Sequence, residues 1–257
     1  MFEERPTQWI QLAGSLLSAF FALIIFGFLA NRRRQKRGIE TKSLVYIEIV
    51  AFCLGLAALI DGVFLLTHEL YGIEFVFIPS YEFVNFGSYL SFSLNAISNF
   101  FLLKFAKDIF GEQVKKGLYL VLSIVQIAVI PALLVVYFSG DILSDFELIP
   151  FIAHILCSIV IYIVFSVNAF KIRKVMLLES DQDYIIRKAL GDLGMTGIFM
   201  LLAVLSFVAH EVFLMTSLEL LKKEAITIAL GWIFGGIAAF FMYSGYVSPE
   251  LMKKRIK

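Results

Sequence analysis

Three histidines and a few carboxylates carry whatever acid–base or metal chemistry this chain has, and two of the histidines stand where hydrophobic runs end. His68 and Glu69 lie in "FLLTHELYG", and His210 and Glu211 lie in "SFVAHEVFL". Asp61 precedes His68 by seven residues, two helical turns, so the two share a helix face. The third histidine, His154, has Cys157 and Ser158 one turn deeper. Imidazole titrates near neutral pH, and nitrogen ligands joined by a carboxylate oxygen suit zinc. His68, His154 and His210, with Asp61 or Glu211, are therefore the expected site of a titrating group or of a divalent cation such as zinc. The plainer reading of each His-Glu pair is solvation at a helix end among lipid head groups.

A second constellation occupies "YEFVNFGSYLSFSLNAISNF", where Asn85, Ser88, Ser91, Asn95 and Asn99 recur at helical spacing. Such a stripe either hydrogen-bonds neighbouring helices, at about 0.6 kcal/mol per bond, or forms the wall of a polar cavity. Phe92, off the stripe, is expected to face lipid. Asp61, Asn85, Ser88, Asn95, Asn99 and Trp232 make up the expected ligand-binding set. There is no Gly-rich phosphate loop, no Cys-x-x-Cys and no His-Glu-x-x-His, so no catalytic motif is recognisable. Cys53 and Cys157 fall in apolar segments at different depths and read as two buried thiols.

The elements that hold these groups follow from composition. Of 257 residues 60% are hydrophobic, 27 are Phe and only 17% are charged, far from a soluble domain. A bilayer core needs roughly 20 apolar residues per helix. Seven such runs occur, near Trp9–Ala30, Leu44–Leu66, Phe83–Phe105, Gly117–Phe138, Leu148–Phe170, Ala189–Leu214 and Ala225–Val247. The expected fold is an all-α integral membrane bundle of seven transmembrane helices, one domain over residues 1–257 with no soluble domain attached. The basic cluster "NRRRQKR" follows the first run instead of preceding it, so that run reads as a retained span and not a signal peptide.

Positive residues prefer cytoplasmic segments. With the N-terminus outside, the inner segments hold Arg32, Arg33, Arg34, Lys36, Arg37 and Lys42, then Lys104, Lys107, Lys115 and Lys116, then Lys171, Arg173, Lys174, Arg187 and Lys188, and finally Lys253, Lys254, Arg255 and Lys257. Only Arg5, Lys222 and Lys223 fall outside, where Glu69, Glu74, Glu82, Asp141, Asp145 and Glu147 gather. The net charge of +1 thus conceals a strong asymmetry. Trp9, Tyr71, Tyr81 and Tyr137 near one boundary, and Tyr46, Tyr119, Tyr243 and Tyr246 near the other, fit interfacial aromatic belts. The basic segments read as orientation signals and contacts for anionic lipid heads; nothing in their spacing suggests nucleic acid.

The two His-Glu pairs also suggest an internal repeat. Laying Ala13 over Ala153 aligns an apolar run and its basic exit at a register of 140 residues, and laying His68 over His210 gives 142, which also places Glu82 on Glu224. Two three-helix units, 9–105 and 148–247, would then be joined by a connector helix, 117–138. This arrangement resembles the architecture shared by small sugar facilitators, retinal proteins and G-protein-coupled receptors, without any of their diagnostic motifs. The seventh run, "ITIALGWIFGGIAAFFMYSGYV", has no lysine, so no retinal Schiff base is expected. The histidines lie on three segments, unlike the His-x-x-x-His pair of ceramidase-type membrane hydrolases, and the Pro-Gln dipeptide of many 3+1+3 transporters is absent. Gly231 and Gly235 predict close packing of the last helix, and Pro131 a kink or loosening of the fourth.

The expectation from sequence is a multi-pass protein of the cell membrane with an outward-facing His/carboxylate pocket. A receptor-like sensor working through a cytoplasmic signalling partner comes first. A small solute or ion transporter comes second and a metal-dependent membrane hydrolase third; an enzyme is not the leading expectation.

Overall fold

The computed structural model describes residues 5–35, 41–71, 86–139, 148–176, 181–215 and 224–255; within these, side chains at several helix ends, among them 68–71, 86–88 and 211–215, lie outside the description. Long apolar stretches that alternate Leu, Ile, Phe and Ala favour helix wherever the backbone must satisfy its own hydrogen bonds. The described residues accordingly form seven long helices: α1 Arg5–Gln35, α2 Thr41–Tyr71, α3 Phe86–Phe110, α4 Lys116–Ser139, α5 Leu148–Val175, α6 Asp181–Met215 and α7 Glu224–Arg255. A single 3-10 turn, Gly111–Gln113, links α3 to α4. Gly111 there has φ +56°, a left-handed conformation that glycine adopts without a Cβ clash, and Lys107 Nζ caps the turn by donating to the carbonyl oxygens of Gly111 and Val114 at 3.0 and 3.1 Å.

Six of the helices are long and apolar enough to cross a membrane. The other, α3, carries the Ser/Asn stripe together with Lys104, Lys107 and Asp108. The distribution of side chains is the reverse of a water-soluble protein's. Phe20, Phe28, Leu120, Val121, Phe138, Ile149, Leu156 and Phe240 stand exposed, while Ser15, Asn99, Gln126, His154, Ser158 and Thr196 are buried. Exposed apolar surface on this scale needs a non-aqueous solvent, and buried polar groups need partners inside the bundle. The molecule is an all-α membrane bundle.

Neighbouring helices close a ring in the order α1, α2, α3, α5, α6, α7 and back to α1. The remaining helix, α4, packs on the outside of α3 and α5. Its outward face is Leu120, Ile124, Ile127 and Val135, and its inward face offers Ser123 and Gln126. Pro131 is accommodated within α4, which runs on to Ser139. Close approach of helix backbones is set by small residues, as at Gly197 of α6: a Cβ there would meet the Tyr162 carbonyl oxygen of α5 at 2.7 Å.

The basic termini of the helices gather at one end, where Leu29, Leu44, Ile47, Leu102, Leu103, Phe105, Phe165 and Met242 are fully buried. Polar ties join the helices there. Arg33 Nε lies 3.0 Å from Glu48 Oε2 between α1 and α2, Ser43 hydrogen-bonds Asp108 between α2 and α3, and Ser244 Oγ donates to Asp192 Oδ2 at 2.8 Å between α7 and α6. Apolar side chains fill the centre of the ring in this half of the bundle. Cys53 and Cys157 are both buried free thiols.

Candidate ligand cavity

The other half of the ring is hollow. A cavity of about 320 Å³ opens between all six ring helices, at the lower end of the size range of small-molecule sites. Four of the six helices contribute residues at helical spacing, so much of the cavity wall is a consequence of face periodicity. Leu54, Ala57 and Asp61 come from α2; Ser91, Phe92 and Asn95 from α3; Met200, Ala203, Val204, Phe207 and His210 from α6; and Ile228, Gly231, Trp232 and Gly235 from α7. Gln11 of α1 and Tyr162 of α5 complete the wall.

Among the described residues Asp61 is the one carboxylate in this lining, and no described Lys or Arg belongs to it. Trp232 Nε1 donates to Asp61 Oδ2 at 2.9 Å, and the Gln11 side chain hydrogen-bonds the same carboxylate. The indole is fixed in turn by Phe207, whose ring meets it edge-on at 5.2 Å and 72°. Phe207 reaches that position because Gly231 leaves room: a Cβ at Gly231 would lie 2.8 Å from the Phe207 ring. Asn95 places Oδ1 at the buried wall with no hydrogen-bond partner. A buried acceptor without a donor costs about 1–3 kcal/mol, so it is a group that a ligand can satisfy.

The stripe on α3 divides between two jobs. Ser91 Oγ donates to the Ala57 carbonyl oxygen of α2 at 3.0 Å. Asn99 is fully buried against α5, where Asn99 Nδ2 donates to Ser158 Oγ at 2.7 Å and Tyr162 Oη donates to Asn99 Oδ1 at 2.6 Å. Ser158 Oγ then donates to the His154 carbonyl oxygen at 2.6 Å. Asn99 therefore joins α3 to α5, and Asn95, one turn away, faces the cavity. Phe92, expected from sequence to face lipid, instead lines the cavity and meets Phe151 edge-on at 4.9 Å.

Of the expected site residues, Asp61, Asn95, Trp232 and His210 come together at the cavity. Asn99 and His154 are not in its lining. The buried His154 ring pairs its Nδ1 with Gln126 Oε1 of α4 at 3.2 Å and meets Phe92 edge-on at 5.9 Å. Asn85 and the side chains of His68, Ser88 and Glu211 lie outside the described residues. Among the described residues no three His, Cys, Asp or Glu side chains are placed to hold a metal ion. Sequence reasoning missed Gln11, Phe92, Tyr162 and Phe207. Gln11, a lone amide in the apolar opening of the first span, was legible as an exception; the aromatic rings carried no signal among 27 phenylalanines.

Comparison with known proteins adds no assignment: no protein-family model matches the chain, and neither a curated protein nor a solved structure matches it.

Proposed function

We propose that this chain is a seven-span protein of the cell membrane, N-terminus outside, that works as a receptor-like sensor for a small amine or ammonium ligand. The observation that carries the reading is the convergence of two acceptors, the Asp61 carboxylate and the unpartnered Asn95 Oδ1, on one aromatic-walled cavity with no Lys or Arg among the described residues of its lining. An ammonium group suits both acceptors, and a cation over Trp232, Phe92 or Phe207 gains a further 0.5–2 kcal/mol or so from the ring faces. Charged groups at membrane depth are costly, so a carboxylate kept there is expected to meet a partner of opposite charge.

The orientation rests on the basic ends of the helices, which put the hollow half outward and the filled half towards the cytoplasm. In this reading α3 is the seventh span, sheltered by α2, α4 and α5. A filled centre in the inner half of the ring favours sensing: a ligand in the cavity acts by shifting α6 and α7 against their neighbours, and the basic inner loops pass that shift to a cytoplasmic partner. The transporter reading is favoured by the ring itself. Six helices enclose the cavity and α4 stands outside, the place a connector between two three-helix units would take. Flux would then require the packed inner half to open. The hydrolase reading draws no support from the described residues.

Proteoliposomes containing the purified protein separate these readings when given radiolabelled tetramethylammonium and a panel of primary amines. Saturable binding without uptake supports the sensor, and saturable uptake supports the transporter. Neither binding nor uptake of any cation, against binding of an anionic or neutral solute, overturns the ligand class.

A further inference from the structure

A second cavity, of about 360 Å³, lies at the basic end of the bundle between α5 and α6. Its wall carries Arg173 of α5 with Arg187 and Lys188 of α6, and Asp192 is the one carboxylate beside them among the described residues. Asp192 Oδ2 accepts its hydrogen bond from Ser244, and no ion pair with a described residue holds any of the three cations. Converging like charges repel one another, and one carboxylate against three cations among the described residues leaves a net positive charge that a bound anion offsets.

The arrangement is also shaped. Arg173 lays its guanidinium against the α6 backbone at Gly191, where a Cβ would come within 3.0 Å of Nη1. Glycine at that position gives the guanidinium its berth. Lys188 and Gly191 are one turn apart, so the ammonium and the docked guanidinium approach the same space from adjacent turns. Tyr184, one turn before Lys188, stands at the exposed rim.

We infer that this α5–α6 cavity binds a phosphate monoester, carried either by a lipid head group or by a small soluble compound. Guanidinium groups match phosphate oxygens through paired, charge-assisted hydrogen bonds, and lysine supplies a point charge beside them. Basic pockets between membrane helices at the cytoplasmic surface are suited to anionic head groups. The inference does not depend on the amine cavity, which faces the opposite half of the bundle.

The test uses the full chain in a neutral detergent, titrated calorimetrically with glycerol 3-phosphate, inorganic phosphate and short-chain phosphatidic acid. At least one probe binds saturably to the unsubstituted protein. Its Kd rises about tenfold or more in Arg173→Gln/Arg187→Gln, a loss of about 1.4 kcal/mol per decade. Gly191→Val, which keeps every charge and displaces Arg173, weakens it in the same direction; Lys115→Gln/Lys116→Gln, which removes two cations from the same end outside the cavity, leaves it unchanged. Arg187→Gln alone gives the same sign should the double variant fail to fold. Phosphatidic acid binding far more tightly than glycerol 3-phosphate identifies a lipid head group, and equal affinities identify a soluble phosphate compound. Absence of saturable binding by every probe, or equal weakening by the two charge-removing pairs, overturns the site.

Discussion

Trp232 of α7 and Asp61 of α2, separated by 171 residues in the chain, meet in a 2.9 Å hydrogen bond at the wall of the cavity. Their helices touch little elsewhere, because α1 stands between them in the ring. The bond therefore spans the hollow of the bundle, fixes the indole and leaves the carboxylate facing the cavity. In the proposed reading, ligand recognition and bundle stability share this contact.

That sharing predicts a split between two substitutions. Trp232→Phe removes the donor and leaves a buried acceptor, which costs about 1–3 kcal/mol and lowers the unfolding temperature in detergent. Asp61→Leu combined with Trp232→Phe should cost less than the sum of the two single changes, since the contact is lost only once. Strict additivity would mean that the two side chains do not interact in solution.

The two asparagines of α3 should behave differently although they lie one turn apart. Asn99→Leu strips Tyr162 Oη of its acceptor and is expected to destabilise the α3–α5 contact by about 1–3 kcal/mol. Asn95→Leu removes an acceptor that has no partner, so the unfolding temperature holds or rises while amine binding falls. Phe20→Leu, on an exposed face, serves as the neutral comparison. Unfolding temperatures that drop equally for Asn95→Leu and Asn99→Leu would contradict the division of the stripe.

Gly197→Val probes the approach of α5 and α6. The space a Cβ would need is taken by the Tyr162 carbonyl oxygen and the Ser166 hydroxyl, and overpacking of this kind costs about 1–3 kcal/mol. Since Tyr162 also lines the cavity, ligand affinity should fall along with stability. Gly27→Val, where nothing lies within 4 Å, should change neither.

Topology is accessible to cysteine labelling because both native thiols are buried. Cysteines introduced after Arg37 and after Lys174 should be shielded from an impermeant thiol reagent in intact cells, and one at Asp141 should react. Labelling at the first two sites with protection at the third would invert the bundle and place the amine cavity towards the cytoplasm.

Much of the architecture is legible in the chain. Apolar runs long enough to span a bilayer declare helices without any knowledge of their neighbours, and the exits at Arg32 and Arg173 declare which ends lie together. Asp61 declares itself as an expensive group at membrane depth. Partnerships are a different matter, since they depend on how each helix is rotated. Asn99 is visible as part of a stripe, but nothing in "HILCSIVIYIV" says that Ser158 and Tyr162 will turn towards it. His154 shares its depth with His210 in the sequence, and only the docking of α4 explains why its ring meets Gln126. The reading of Phe92 as lipid-facing failed for the same reason: with α5 beside α3, its ring is enclosed by Phe151 and His154.

The central claim is that Asp61 holds a small amine in the cavity next to Trp232. The chain has two tryptophans, so Trp9→Phe leaves Trp232 as the sole indole and makes its fluorescence a report from the cavity wall. Titrating that variant in detergent with tetramethylammonium and simple primary amines should give a saturable change in emission for at least one of them, abolished by Asp61→Asn. A change that persists undiminished in Asp61→Asn, or none with any cation tested, would contradict the account.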